Sequence, residues 1–205
     1  MNPRYSDHMS TSGEVTRLLL AFRDGDRDAF DHLVPLLYED LRRIARAHIR
    51  RSDPSQTLSA TALVHEAYVR LVDQTQAEWS DRNHFLSVCS VVMRRIVVSS
   101  ARKRAAAKRG GDKKVTLDEA RIPADTDAER MLELNQALER LGARDERLVR
   151  VVECRFFAGL TEQDTASALD SSLRTVQRDW KRARAWLKEE LGGLPAAPGP
   201  RELSA

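Results

Sequence analysis

Thr161–Leu191, TEQDTASALDSSLRTVQRDWKRARAWLKEEL, reads as two helices joined by a tight turn. Thr161 can cap the first helix, with Asp164 as the acidic partner of a capping box. Ala166 and Leu169 give that helix a small apolar face. Asp170 and Ser171 make the turn, and Ser172 is a good N-cap for a second helix. On that helix Val176, Trp180, Ala183 and Leu187 fall at helical spacing and form one apolar stripe. Arg174, Arg178 and Lys181 project from the opposite side. A short helix, a tight turn and a longer helix with a basic outer face is the layout of a helix-turn-helix. In that motif the N-terminal part of the second helix enters the DNA major groove. The same stretch also reads as an amphipathic hairpin with a solvated charged face, so the choice rests on what surrounds it.

Upstream, Met131, Leu134, Leu138 and Leu141 make a helical stripe ended by Gly142. Asp145 opens another helix carrying Leu148, Val149, Val152 and Phe156, ended by Gly159. These helices and the helix-turn-helix form one expected domain, 128–191. Residues 110–127 hold Gly, Asp, Pro and Thr with weak periodicity and read as a flexible linker. The tail 192–205 is disordered by composition.

The region 13–109 reads as a second helical domain. A helix is expected from Glu14 to Arg23, and Asp24-Gly25-Asp26 stops it. Asp26 can cap a helix bearing Phe30, Leu33, Leu37, Leu41, Ile44 and Ala45, in which Pro35 should introduce a kink or a local split. After the break at 52–55, Ser59 starts a helix to about Asp73. The polar loop 73–83 holds one aromatic, Trp79. A long helix from His84 is apolar at first and strongly basic after Arg94. Residues 1–12 lack periodicity and read as a disordered tail. The expected fold is therefore all-α: two small helical domains on a flexible linker, the C-terminal one a helix-turn-helix of winged-helix type without the wing.

Composition agrees. The 205 residues suffice for one or two small domains, and 32% charged against 5% aromatic residues favours a helical protein. The net charge of +3 says little, but its distribution says more. His84–Lys114 holds nine Lys/Arg against one acid, and Val115–Glu133 holds six acids against two arginines. A basic block followed by an acidic linker points to a polyanionic partner. Basic side chains track phosphates, and Trp79 could stack on an unpaired base. Cys89 and Cys154 have no second Cys or His at zinc spacing, which fits two buried thiols in a reducing cytosol. A signal-peptide core is lacking, and no apolar run approaches the ~20 residues that span a bilayer. A cytoplasmic location without membrane insertion is expected.

Catalysis finds no support. His65-Glu66 would need a second His at position 69, which is Val69. Gly110-Gly111 follows a helix and has no downstream Lys-Ser/Thr. The carboxylates are scattered. No catalytic residue, metal site or cofactor is assigned.

The chain resembles the extracytoplasmic function (ECF) sigma factors of the sigma-70 superfamily, the bacterial initiation factors, over about 13–191. The stretches that carry the resemblance are GDRDAFDHLVPLLYEDLRRIA (25–45), SATALVHEAYVRLVD (59–73), HFLSVCSVVMRRIVVSSARKRAAAKRGG (84–111) and 138–191. Their order and spacing are specific, because a bare helix-turn-helix regulator would not carry the first domain. The resemblance implies that the helix 59–73 docks on the β′ clamp helices of core RNA polymerase through His65, Glu66, Val69, Arg70 and Asp73. It implies that the loop 74–83 captures flipped bases of the −10 element, with Trp79 and Asn83 in that region. Arg94, Arg95, Arg102, Lys103 and Arg104 would grip the strand and the upstream duplex. The helix-turn-helix would read the −35 element with Ser172, Arg174, Thr175, Gln177, Arg178 and Lys181, and its domain would hold the β flap tip. An anti-sigma factor is the further implied partner, beside core polymerase and promoter DNA.

Two positions depart from the family pattern. Asp170 stands in the turn where the family usually has Gly, which requires Asp to accept a left-handed conformation and places a negative charge near DNA. Ser99 stands where related sequences usually show an acid. The third conserved sigma domain is absent, as in the ECF class.

The resulting reading is a non-enzymatic promoter-specificity subunit. An autonomous homodimeric helix-turn-helix regulator predicts instead tight palindromic operator binding without polymerase. A helical scaffold predicts indifference to charge reversal at Arg174, Arg178 and Lys181. RNA binding has no recognition signature behind it.

Overall fold

The computed structural model describes residues 3–52, 58–72, 79–110 and 124–192, and every described element is helical. Residues 111–123 of the expected linker and 193–205 of the expected tail lie outside that set. Helix α1 (Pro3–Arg23) is followed by α2 (Asp28–Ser52), α3 (Ala60–Val72) and α4 (Arg82–Gly110). The first boundary is local chemistry. Gly25, at φ 103°, turns the chain after α1, and Asp26 Oδ1 accepts the amides of Asp28 and Ala29. Ser59 Oγ accepts Ala62 N–H, and Asp81 Oδ1 accepts His84 N–H, so α3 and α4 are capped in the same way.

Helix α1 begins at Pro3, so residues 3–12 of the expected tail 1–12 are helical, and residues 1 and 2 lie outside the described set. No Pro or Gly interrupts residues 4–12, and Pro3 sits at the start, where its missing N–H costs nothing. Pro35 does not divide α2 either. It is exposed, and the buried run Leu33, Leu37, Leu41, Ile44 and Ala45 holds the helix on both sides of the missing hydrogen bond.

Helices α1–α4 enclose one core of Val15, Leu19, Phe30, Leu63, Trp79, Phe85, Met93 and their neighbours. Tyr68 ties α3 to α2 by donating its hydroxyl to Asp31 Oδ1 at 2.6 Å, a bond that raises the phenol's pKa. In α4 the segment Arg82–Lys103 is long and apolar enough to cross a membrane by composition, although no uninterrupted apolar run reaches that length. Of the apolar window, 67% is buried inside the protein, which marks a core helix.

The C-terminal unit comprises α5 (Ala124–Arg144), α6 (Glu146–Val152), a π-helical turn (Glu153–Phe157), α7 (Glu162–Ala168) and α8 (Leu173–Leu191). Its core joins Leu134, Leu138, Leu141, Leu148, Val152, Phe156 and Phe157 to Ala183 and Leu187 of α8. Gly159, at φ 70°, reverses the chain into α7. The two units touch. Cys154, Ala158, Leu160 and Ala168 pack into the core of α1–α4 rather than into that of their own unit. The His48 ring of α2 stacks on Phe157 at 5.3 Å and 10°.

Candidate nucleic-acid interface

The helix-turn-helix is built as its residues dictate. Thr161 Oγ1 accepts Asp164 N–H at 3.1 Å, and the Asp164 carboxylate accepts Thr161 N–H in return, which closes the capping box. Asp170 takes φ 45°, the left-handed conformation that the turn requires. Ser172 Oγ accepts Thr175 N–H at 3.2 Å and starts α8. Val151, Ala166 and Val176 lock α7 and α8 onto α6, with Leu169 and Trp180 packed around them. Asp170→Val should lower stability by about 1–2 kcal/mol, since a β-branched residue resists that conformation. Asp170→Gly should leave stability at least unchanged. Urea unfolding of the two variants followed by circular dichroism checks the pair.

With Val176, Ala183 and Leu187 inside, Arg174, Gln177, Arg178 and Lys181 face solvent. Gln177 Nε2 donates to Glu162 Oε2 at 2.9 Å, so its reach is set from α7. Ser172 and Thr175 are partly committed to each other, through a 2.8 Å hydroxyl bond at the first turn. Four residues that the sequence did not single out, Asp179, Arg147, Arg182 and Leu173, complete this surface. Asp179 is buried, and its carboxylate gathers Arg147 at 2.7 Å, Arg178 at 3.2 Å and Arg182 at 3.9 Å. It thereby holds a basic cluster across α6 and α8. Its place three residues from Val176, beside the apolar stripe, is the one local hint of its burial, and its partner Arg147 on α6 is not legible from the local sequence. Leu173 is a large exposed apolar residue at the start of α8, the kind of side chain that meets a thymine methyl.

On α3, His65, Glu66, Val69 and Arg70 all face outward, opposite the buried Leu63, Val64, Ala67 and Leu71. Val69 is 59% exposed, and Arg70 pairs with Glu66 at 2.7 Å. Asp73, the fifth member of this expected contact, lies outside the described residues, as does loop 74–78.

The expected −10 surface is only partly open. Trp79 is 2% exposed, which corrects its reading as a base-stacking platform. Its ring stacks on Phe22 at 5.2 Å, meets Phe85 edge-on at 5.0 Å and lies 5.7 Å from Phe30. An apolar ring among three others gains more from core packing than from water. Arg94 is corrected too, for it does not point to solvent. It is 8% exposed and donates to Asn135 Oδ1 and to Glu153 Oε1. Asn83 Nδ2 donates to Asp164 Oδ1 at 3.1 Å. Arg95 and Lys103 are exposed, Arg102 lies 3.4 Å from Glu139, and the Arg104 side chain is outside the described set.

Both cysteines are free and buried. Burial drives the Cys89 thiol well above its ordinary pKa and pushes Cys154 up to about 12, with a Ser87 hydrogen bond opposing the latter in part. Neither is a thiolate at neutral pH. Among the described residues no group of three His, Cys, Asp or Glu is placed to hold a metal ion.

A family model described as ECF sigma factor matches residues 12–193. Among curated proteins no match was found.

Proposed function

The chain belongs to the ECF sigma factor family, the sigma factors of transcription initiation that partner core RNA polymerase and promoter DNA, and from that premise we propose that it reads two promoter elements with two separate surfaces. The C-terminal helix-turn-helix reads the −35 element through Arg174, Gln177, Arg178 and Lys181, with Ser172 and Thr175 at the helix start. The α4 surface, with Asn83, Arg95, Arg102, Lys103 and Arg104, engages the −10 region and favours its melting. The exposed α3 face of His65, Glu66, Val69 and Arg70, continued by Asp73, docks on the β′ clamp helices, and the C-terminal unit holds the β flap. An anti-sigma factor is a further proposed partner, and the site of action is the cytoplasm. The observation that carries this reading is the geometry of α8: a capped helix with one buried stripe and four exposed polar or basic residues at its N-terminal half.

Each surface alone offers few contacts, so each alone binds DNA weakly. Docking on polymerase fixes their separation, and binding at one element raises the effective concentration at the other. The −35 contacts position the complex by phosphates and base edges. A pocket for an unpaired base offsets a stacking loss of roughly a few kcal/mol.

Run-off transcription with bacterial core polymerase over a library of promoter-like DNA tests the proposal. Specific transcripts that require the protein are expected. No transcripts and no core binding, together with tight duplex binding by the protein alone, would establish the dimeric regulator instead.

A further inference from the structure

At the buried carboxylate of Asp179 the basic face of α8 meets a cation from another helix. The Asp179 side chain is 2% exposed. Its Oδ1 takes Nε of Arg178 at 3.2 Å, and its Oδ2 takes Nε of Arg147, on α6, at 2.7 Å. Nε is the inner nitrogen of a guanidinium. Pairing through it leaves the two terminal nitrogens, the fork that matches a phosphate or a guanine edge, for another partner. Among the described residues neither fork has one, and both side chains are at least half exposed. Arg182 is held differently. Its Nη1 lies 3.9 Å from Asp179 and its Nη2 lies 3.7 Å from Asp145, so both ends of its fork are engaged. The other flank of α8 is tied to α7, where Glu162 accepts Gln177. Gln177 and Asp179 stand about 200° apart around the helix. A helix lying in the major groove has the phosphates of one strand along each flank, and α6 brings Arg147 to one of them.

We propose that Asp179 is a positioning residue for the duplex contact of α8. It fixes the Arg178 fork for a base edge, and it brings Arg147 of α6 into the same interface as a contact to a backbone phosphate. The inference rests on the reading of α8 as the DNA-facing helix and deepens it. It adds one DNA contact from outside the helix-turn-helix and one buried residue that never touches DNA. Because both guanidinium groups meet one carboxylate, Arg147 stands beside whatever Arg178 touches. Two such cations side by side repel, and the carboxylate between them offsets that repulsion. Arginines held before DNA arrives lose less freedom when it binds. The same carboxylate subtracts a charge from the surface, which weakens attraction to any duplex while it sharpens the geometry for one. Arg147 then contributes affinity without sequence preference, and Arg178 contributes the preference.

The test uses the full chain and a duplex recovered by selection from a random pool, with core polymerase or by the chain alone. The same duplex with its recognised element scrambled is the comparison. Asp179→Asn removes one negative charge with almost no change of shape. It should lower the preference for the intact duplex at least ~10-fold, while binding to the scrambled one stays level or tightens. A structural defect alone would weaken both duplexes by one factor and leave their ratio unchanged. Arg147→Ala should weaken both alike and make the slope of log affinity against log salt shallower by about 1. Arg150→Ala is its control, an α6 arginine paired with Glu146, and should leave that slope unaltered. An unchanged ratio in Asp179→Asn overturns the positioning role. An Arg147→Ala slope equal to that of Arg150→Ala overturns the phosphate contact. Nitrogen-15 relaxation at arginine Nε in the unmodified protein, without DNA, is a second measurement that needs no variant to fold. Arg147 and Arg178 should be rigid there and the exposed Arg174 mobile. Equal mobility at all three also overturns the positioning role. The selection separates this inference from the sigma reading. A duplex recovered only by the chain alone, with the expected variant effects, keeps the positioning role and loses the sigma reading. Core-dependent transcription with an unchanged ratio loses only the positioning role. A chain that recovers no duplex by either route loses both.

Discussion

Trp79→Ala is expected to destabilise the α1–α4 unit by about 3–5 kcal/mol, the usual cost of emptying a buried Trp site. The ring is 2% exposed and in contact with Phe22, Phe30 and Phe85, so the deletion leaves a cavity lined by rings from three helices. Aromatic pairing adds about 0.5–1.5 kcal/mol per pair beyond area, and three such pairs disappear together. Against a total stability of about 5–15 kcal/mol this is a large fraction. With a slope of about 1–3 kcal/mol per M urea, the unfolding midpoint should fall by roughly 2 M. Trp79→Phe should recover much of the loss, since it keeps an aromatic ring in the site. Had Trp79 been an exposed stacking platform, its removal would have left the midpoint within the ~0.5 kcal/mol typical of surface changes. Circular dichroism in urea distinguishes the outcomes, and an unchanged midpoint would remove Trp79 from the core.

Arg174→Glu combined with Arg178→Glu is expected to lower −35-dependent transcription by a hundredfold or more. Each lost base or phosphate contact costs about 1–3 kcal/mol, and the introduced carboxylates repel the duplex as well. Arg174 is exposed on α8 away from the apolar stripe, so its replacement leaves the packing intact. Arg178 is one of three arginines at the buried Asp179. Arg147 at 2.7 Å remains to satisfy that carboxylate, which keeps the structural cost small. Core binding by the variant should persist, because the proposed α3 face is untouched. Run-off assays beside a core pull-down check both halves. Transcription that survives the double change would favour the scaffold reading of these helices.

Much of this was legible in local sequence. The capping pattern of Thr161 and Asp164, the N-cap at Ser172 and the stripe Val176–Trp180–Ala183–Leu187 each became the predicted feature, because caps and helical periodicity depend on residues within one or two turns. Asp26 and Ser59 followed for the same reason. The departure at Asp170 was readable too, for the turn demands a left-handed residue whatever occupies it.

Three things were decided only by the tertiary structure. Trp79 and Arg94 were assigned to DNA from residue type and from the segment in which they lie, yet a ring's surroundings and a cation's partner come from elements far off in sequence. Phe22 and Phe85 close over the one, and Asn135 and Glu153 take the other. Asp179 reads as a solvated acid until Arg147, on a different helix, is brought beside it. The contact between the two units has no periodicity to reveal it, since its apolar residues are scattered through the π-helical turn, the loop after it and α7. Local sequence therefore determined the helices, their caps and the outward basic face of α8. Which of the charged and aromatic residues remain available to a partner was settled by long-range packing, because burial and charge pairing are properties of neighbours that the chain brings together only when it folds.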